Sequence, residues 1–129
     1  MTEEIEFILP KPPSLNQYFN SKHWAIKAKH KNEYNKHIKE CMDRFDKFFA
    51  GTYRIDIIHN TRLDCDNTVI AVKFISDYLK DNGYVTDDTK KYFKGFSIRV
   101  ADDDDDIEKN TVLVKIKLYD YEQSQLPNL

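Results

Sequence analysis

Two acidic clusters carry the side chains of this chain best suited to chemistry. Arg62-Leu63-Asp64-Cys65-Asp66-Asn67 holds two carboxylates one residue apart, and Asp87-Asp88 adds a second pair about twenty residues later. In extended backbone, residues i and i+2 point to one side, so Asp64 and Asp66 are expected to face the same cavity. Carboxylates gathered from separate elements repel unless protonated, hydrogen-bonded or neutralised by a cation. A hard, oxygen-seeking Mg²⁺ or Mn²⁺ suits them. The layout fits a metal-dependent site that cuts phosphodiesters.

Other readings of the same residues stand beside this one. Cys65, between the two aspartates, is expected to point inward as a small core residue. Asp66 or Asn67 is a natural helix N-cap, and Asp87-Asp88 could merely close a turn. Lys73 follows Asp66 by seven residues, nearly two helical turns, and so shares almost the same face. Helical side chains lean toward the N-terminus, which would carry its ammonium toward the acidic site and a phosphate there. The alternative is a surface pair with Asp77 at i, i+4.

The elements that must position these groups are legible from periodicity. A short apolar strand spans 5–9, and Pro12-Pro13-Ser14 imposes an extended loop in which no helix is expected. Apolar residues at helical intervals run from His23 to Phe49, with Gly51 as the stop. Residues 53–58 alternate like a half-buried strand. A second helix is expected over 68–82, stopped by Asn82-Gly83 and apolar broadly enough to be buried on more than one side. Strands at 96–100 and 111–118 follow. Asp102-Asp103-Asp104-Asp105-Asp106 between them reads as a solvated hairpin loop rather than a calcium site, since it lacks the ligand spacing and glycine of a calcium loop. The expectation is one α+β domain over 1–120, in the order β-α-β-α-β-β, a mixed sheet packed by two helices, with a loose tail over 121–129.

Composition agrees with a single globular domain. The chain has 129 residues, 40% of them hydrophobic, enough to bury a core without staples. No apolar run approaches a membrane span and the start lacks a basic-then-apolar leader. Cys41 and Cys65 form no CxxC pair, which points to a reducing compartment and a soluble cytoplasmic protein. The formal net charge of −2 hides a polarity along the chain. Lys22, Lys27, Lys29, Lys31, Lys36 and Lys39 face a single acid, Glu33, in their segment, and local fields attract a polyanion more than the average does. His23, His30 and His37 recur at sevens, too far apart for one ion. His59 and Arg62 flank the approach to Asp64, as phosphate contacts or as plain surface residues. Trp24 is expected in a core or interface, with base stacking as an alternative.

Together these residues resemble the RusA family of Holliday-junction resolvases, small metal-dependent endodeoxyribonucleases of phages and prophages. Pro12-Pro13-Ser14-Leu15-Asn16 with Tyr18 is similar to the family's Pro-x-Ser-x-Asn-x-Tyr opening. Asp64-Cys65-Asp66-Asn67, then Lys73, Asp77, Leu79, Gly83 and Asp87-Asp88, resembles its Asp-x-Asp-Asn, Lys, Asp-x-Leu, Gly, Asp-Asp series. The likeness spans roughly 5–118. It implies a homodimer in the cytoplasm of a bacterium or phage-infected host cell. That dimer would bind branched double-stranded DNA at four-way junctions and nick two opposed strands with Mg²⁺, or Mn²⁺ in its place. By position, Asp64, Asp66 and Asp88 would be the catalytic metal ligands, with Asp87 competing for the third place, and Lys73 the catalytic lysine. The chain departs from the pattern at that lysine: it follows the Asn by six residues here and by three in the family, and an ungapped alignment puts Ile70 there instead. Asn16, Lys22, Lys27, Lys29, Lys31 and Arg62 would contact DNA, through phosphate contacts whose strength falls with salt. The competing functions are a non-catalytic junction-binding relative with a vestigial acidic site, and a small acidic scaffold that touches no DNA.

Overall fold

The computed structural model describes residues 2–19 and 23–123, and the chain forms one small mixed α+β unit. Strand β1 (Glu3–Pro10) leads into the proline loop. Helices α1 (Leu15–Phe19) and α2 (Trp24–Met42) follow, then strands β2 (Phe48–Phe49) and β3 (Thr52–Asn60). Helices α3 (Cys65–Thr68) and α4 (Ile70–Asp81) cross to β4 (Phe93–Val100), and β5 (Thr111–Tyr119) and β6 (Glu122–Gln123) complete the order. The principal sheet has four strands in the order β1-β5-β3-β4. β5 is antiparallel to both β1 and β3, while β3 and β4 are parallel.

The register sorts side chains onto two unlike faces. Ile5, Ile116, Ile55 and Phe96 form one row, and Phe7, Val114, Ile57 and Ile98 the next. These rows face the helices; α2 contributes Tyr34, Ile38 and Met42 to the core, and α4 nearly all of its length from Ile70 to Leu79. The other face carries Glu6, Lys115, Asp56 and Ser97 in one row, which is the alternation of a sheet covered on one side only. The breadth of burial on α4 follows from its place: it packs on α2 as well as on the sheet side. Gly83, at φ +77°, takes the left-handed position that ends α4, and the Tyr84 N–H then reaches back to the Leu79 carbonyl at 2.9 Å.

Several expectations are corrected. Residues 12–14 carry no helix, as expected, but an additional short helix follows at Leu15–Phe19, which the Ser14 hydroxyl caps by accepting the Gln17 N–H at 2.9 Å. Helix α2 stops at Met42 rather than Phe49: Phe48 is drawn into the core against Tyr84 and Tyr121, with ring centroids 4.7 and 5.7 Å away, so 48–49 becomes a strand. The same contacts, and the pairing of β6 with β2, fold the first part of the expected loose tail back on the domain. Residues 124–129 lie outside the described residues. Trp24 is no core residue; it is 82% exposed.

The aspartate run is not a hairpin. β4 and β5 lie on opposite sides of β3, so residues 101–110 must pass over the end of that strand. Asp103–Asp105 form a single 3-10 turn there, capped by Asp102, and Arg99 grips Asp105 with two bonds of 2.8 Å. The bonds from Arg99 hold the Asp105 carboxyl down to about 2. A depressed carboxylate contributes its stability above its unfolded value and loses it as pH falls through the folded one. An NMR carboxyl titration should therefore place Asp105 near pH 2, and Arg99→Gln should raise it, with the Asp102 N–H still holding it somewhat low. In the core, Ile57→Ala should cost about 2–5 kcal/mol, read as a lowered urea midpoint.

Candidate functional site

The parallel pairing of β3 with β4 decides where each acidic group lies. β1, β3 and β4 run in one direction, so the residues that follow them collect at one end of the sheet. Ser14 and α1 follow β1 there, and Asp64 follows β3. Helix α4 then returns along the sheet, and Asp87-Asp88 lie in the turn between its end and the start of β4. Twelve helical residues span about 18 Å at 1.5 Å per residue, so the two acidic clusters stand at opposite ends of that helix.

At the first end the strand-like geometry expected for the acidic motif gives way to a turn of helix. Asp64 is extended, with φ −70° and ψ 157°, and is the N-cap of α3; its side chain caps nothing. Asp66 lies inside the helical turn, so a rotation of about 100° per residue replaces the expected side-by-side arrangement. Both carboxylates are exposed and neither has a side-chain partner among the described residues. Neither Asp66 nor Asn67 is the cap. Asn67 instead braces a neighbouring element, its side-chain oxygen accepting the backbone N–H of Asn16 at 3.4 Å. That N–H belongs to the first turn of α1, where no intrahelical partner exists. Two segments 51 residues apart in sequence are thereby joined.

Beneath them lies a pair that the sequence pattern did not reveal. The Cys65 thiol, half-buried rather than in the core, sits 3.4 Å from Nε2 of His59, and Nδ1 of that ring is 3.0 Å from the Thr61 hydroxyl. Thr61 also accepts the Leu63 N–H at 3.1 Å, shaping the approach to Asp64. His59 is fully buried, neither phosphate-facing nor on the surface as expected, and burial pushes its imidazole below 6.5. The inward-facing position of His59 on β3 was the available signal, since it alternates in phase with Ile55 and Ile57.

A hollow of about 230 Å³ runs between α4 and β4, lined by Val69, Val72, Lys73, Ser76, Asp77, Asp88, Phe93 and Phe96. Asp88 faces it, while Asp87 closes the turn by accepting the Asp88 N–H at 2.8 Å. Asp88 lies 3.7 Å from Lys80 Nζ. Lys73 does not reach back toward Asp64 and Asp66; it pairs with Asp77 at 3.5 Å. Asp77 is buried and also holds Lys31 of α2 at 3.1 Å. Tyr53, whose hydroxyl meets Ser76 at 2.5 Å, is pushed up to about 12, chiefly by burial. Asp66 lines a neighbouring hollow with Leu15, Cys65, Val69, Phe96, Ser97 and Ile98. Val69 and Phe96 border both, so the two hollows form one groove.

Asp64, Asp66 and Asp88 are therefore not gathered as expected, and among the described residues no three His, Cys, Asp or Glu side chains are grouped to hold one ion. The donor chemistry still suits a hard cation at the first end. Mg²⁺ commonly takes one or two carboxylates and fills its remaining places with water and substrate phosphate, and Asp64 and Asp66 offer two. Of the expected DNA contacts, Asn16, Lys29 and Arg62 are exposed, and Lys27 lies over the rings of Tyr18 and Phe19 at 5.7 and 5.5 Å. Lys31 is tied to Asp77, and Lys22 lies outside the described residues.

No protein-family model matches this chain. Nor does any curated protein. Among the described residues no helix is long and apolar enough to cross a membrane.

Burial disfavours the charged His59 imidazole in the fold, whereas its unfolded ring titrates near the ordinary value of about 6.5. Its contribution to stability is whole above that pH and is lost as pH falls below it. The urea midpoint should drop between pH 7 and pH 5, and His59→Gln should flatten that dependence.

Proposed function

We propose that the chain is a DNA-processing protein of the RusA-like kind, an endonuclease that nicks four-way junctions with Mg²⁺. The observation that carries this reading is the bond from Asn16 to Asn67. The opening motif and the acidic motif are independent in sequence, and their meeting at one sheet end is what a shared active site needs. It also leaves Asp64 and Asp66 exposed at a strand-to-helix junction held on both sides by regular structure.

Within this reading Asp64 and Asp66 hold the cation, which supplies Lewis-acid activation of water and phosphate. Asn67 and Asn16 fix the acidic turn against α1. The exposed Lys29 and Arg62 supply sequence-independent phosphate contacts, strong at low salt and weak at high salt. Symmetric nicking of two strands requires two sites related by a twofold axis, hence a homodimer.

A second reading has its own support. The separation of Asp88 from Asp64 and Asp66 along α4, and the engagement of Lys73 with Asp77, favour a junction-binding relative that does not cut. A nicking assay on a synthetic four-way junction separates the two. For the endonuclease, Asp66→Asn should lower cutting by at least about 100-fold, the scale of losing a group that acts in the transition state, while junction binding persists. Absence of cutting by the wild type in both Mg²⁺ and Mn²⁺, with binding intact, would establish the binding-only relative. No retention on DNA at low salt would remove both.

A further inference from the structure

Asp77 is the one buried carboxylate among the described residues, and it holds two ammonium groups from different helices. Lys31 of α2 reaches its Oδ2 at 3.1 Å and Lys73 of α4 its Oδ1 at 3.5 Å. An isolated ion pair linking two helices needs only one lysine. The second leaves an excess positive charge beside the groove, and Lys73 remains 64% exposed at its side chain. Each ammonium has three donors and uses one on Asp77, so both keep donors for another acceptor. Lys73 and Asp77 border the 230 Å³ hollow, and the neighbouring negative charge of Asp88 is partly offset by Lys80 at 3.7 Å.

We propose that Lys31 and Lys73, held by the two oxygens of Asp77, form a phosphate-binding subsite around Asp77, with Lys73 and Asp77 on its side toward the hollow between α4 and β4 and Lys31 on its side toward α2, and with Asp77 as the positioning residue. The ligand chemistry is a phosphate oxygen with at least one negative charge. That it belongs to a DNA phosphodiester rests on the reading above; the subsite itself does not. The arrangement departs from the role expected of Lys73 at Asp64 and Asp66, and brings Lys31 to the same point from another helix.

Charge alone and positioning predict opposite outcomes for one substitution. Asp77→Asn removes a negative charge, which by field strength should tighten any polyanion. If Asp77 instead orders the two lysines, the variant should bind a four-way DNA junction about 3- to 10-fold more weakly in EDTA, by fluorescence anisotropy, the loss expected when charge-assisted contacts lose their geometry. Lys31→Met and Lys73→Met should each weaken binding and reduce the salt slope of log affinity by about one, the value for one lost phosphate contact. Combined with Asp77→Asn they should add less than their separate effects, as members of one unit do. Unchanged or tighter binding by a folded Asp77→Asn protein overturns the proposal, as do unchanged salt slopes in both lysine variants. If Asp77→Asn does not fold, the lysine variants decide, since both ammonium groups retain solvent exposure. If the wild type binds no DNA, inorganic phosphate titrated against ¹⁵N-labelled protein tests the subsite alone. Shifts centred on Lys31 and Lys73 that vanish in Lys73→Met sustain it while the DNA reading falls; shifts elsewhere, or none, sink it.

Discussion

A parallel pair of adjacent strands cannot be joined by a tight turn; the chain must return the full length of the sheet before it can start again. Between β3 and β4 that return is α4, and its position governs most of what the molecule presents. Helix α4 is buried along nearly its whole length because it lies between α2 and the inner face of the sheet. Residues at its two ends are held firmly, and held apart. Asp64 and Asp66 stand before it, Asp87 and Asp88 after it.

The groove along α4 and β4 links these ends. Phe96 and Val69 border both of its hollows, with Asp66 at one end and Asp77, Lys73 and Asp88 at the other. β4 is an edge strand of the sheet, and α4 does not cover it fully, so Phe96 stays 48% exposed. Asp77 matters to the fold as well, since its bond to Lys31 ties α2 to α4. Removing Asp77 would leave Lys31 and Lys73 without their shared counter-ion, whereas loss of one lysine leaves the other to compensate the carboxylate.

Much of the fold was legible in the sequence because burial on one face imposes a period. The strands at 53–58 and 111–118 alternate, and the structure extends them by at most two residues at either end. The stop at Gly83 follows from the left-handed backbone that glycine allows. Phe48 and Phe49 were misread as helix because aromatic residues at helical spacing fit either state, and only the contact with Tyr84 and Tyr121 selects the strand. The hairpin expected at the aspartate run failed for a topological reason: β5 pairs with β1 and β3, not with its sequence neighbour β4. Ser14, read as loop, caps a helix that five residues alone would not sustain in isolation.

The sequence by itself determined which residues are charged, which segments alternate, and that the acids at 64, 66, 87 and 88 were candidates for chemistry. It also determined that Asn16 and Asn67 belong to separate motifs. Which of these groups meet was decided by tertiary structure alone. A linear order of residues holds no direction for a crossover helix. It could not tell that residues before and after α4 would face opposite ends, or that Lys31 from another helix would share Asp77 with Lys73. Proximity across an element depends on how strands pair, and strand pairing is set by long-range burial that no local spacing encodes.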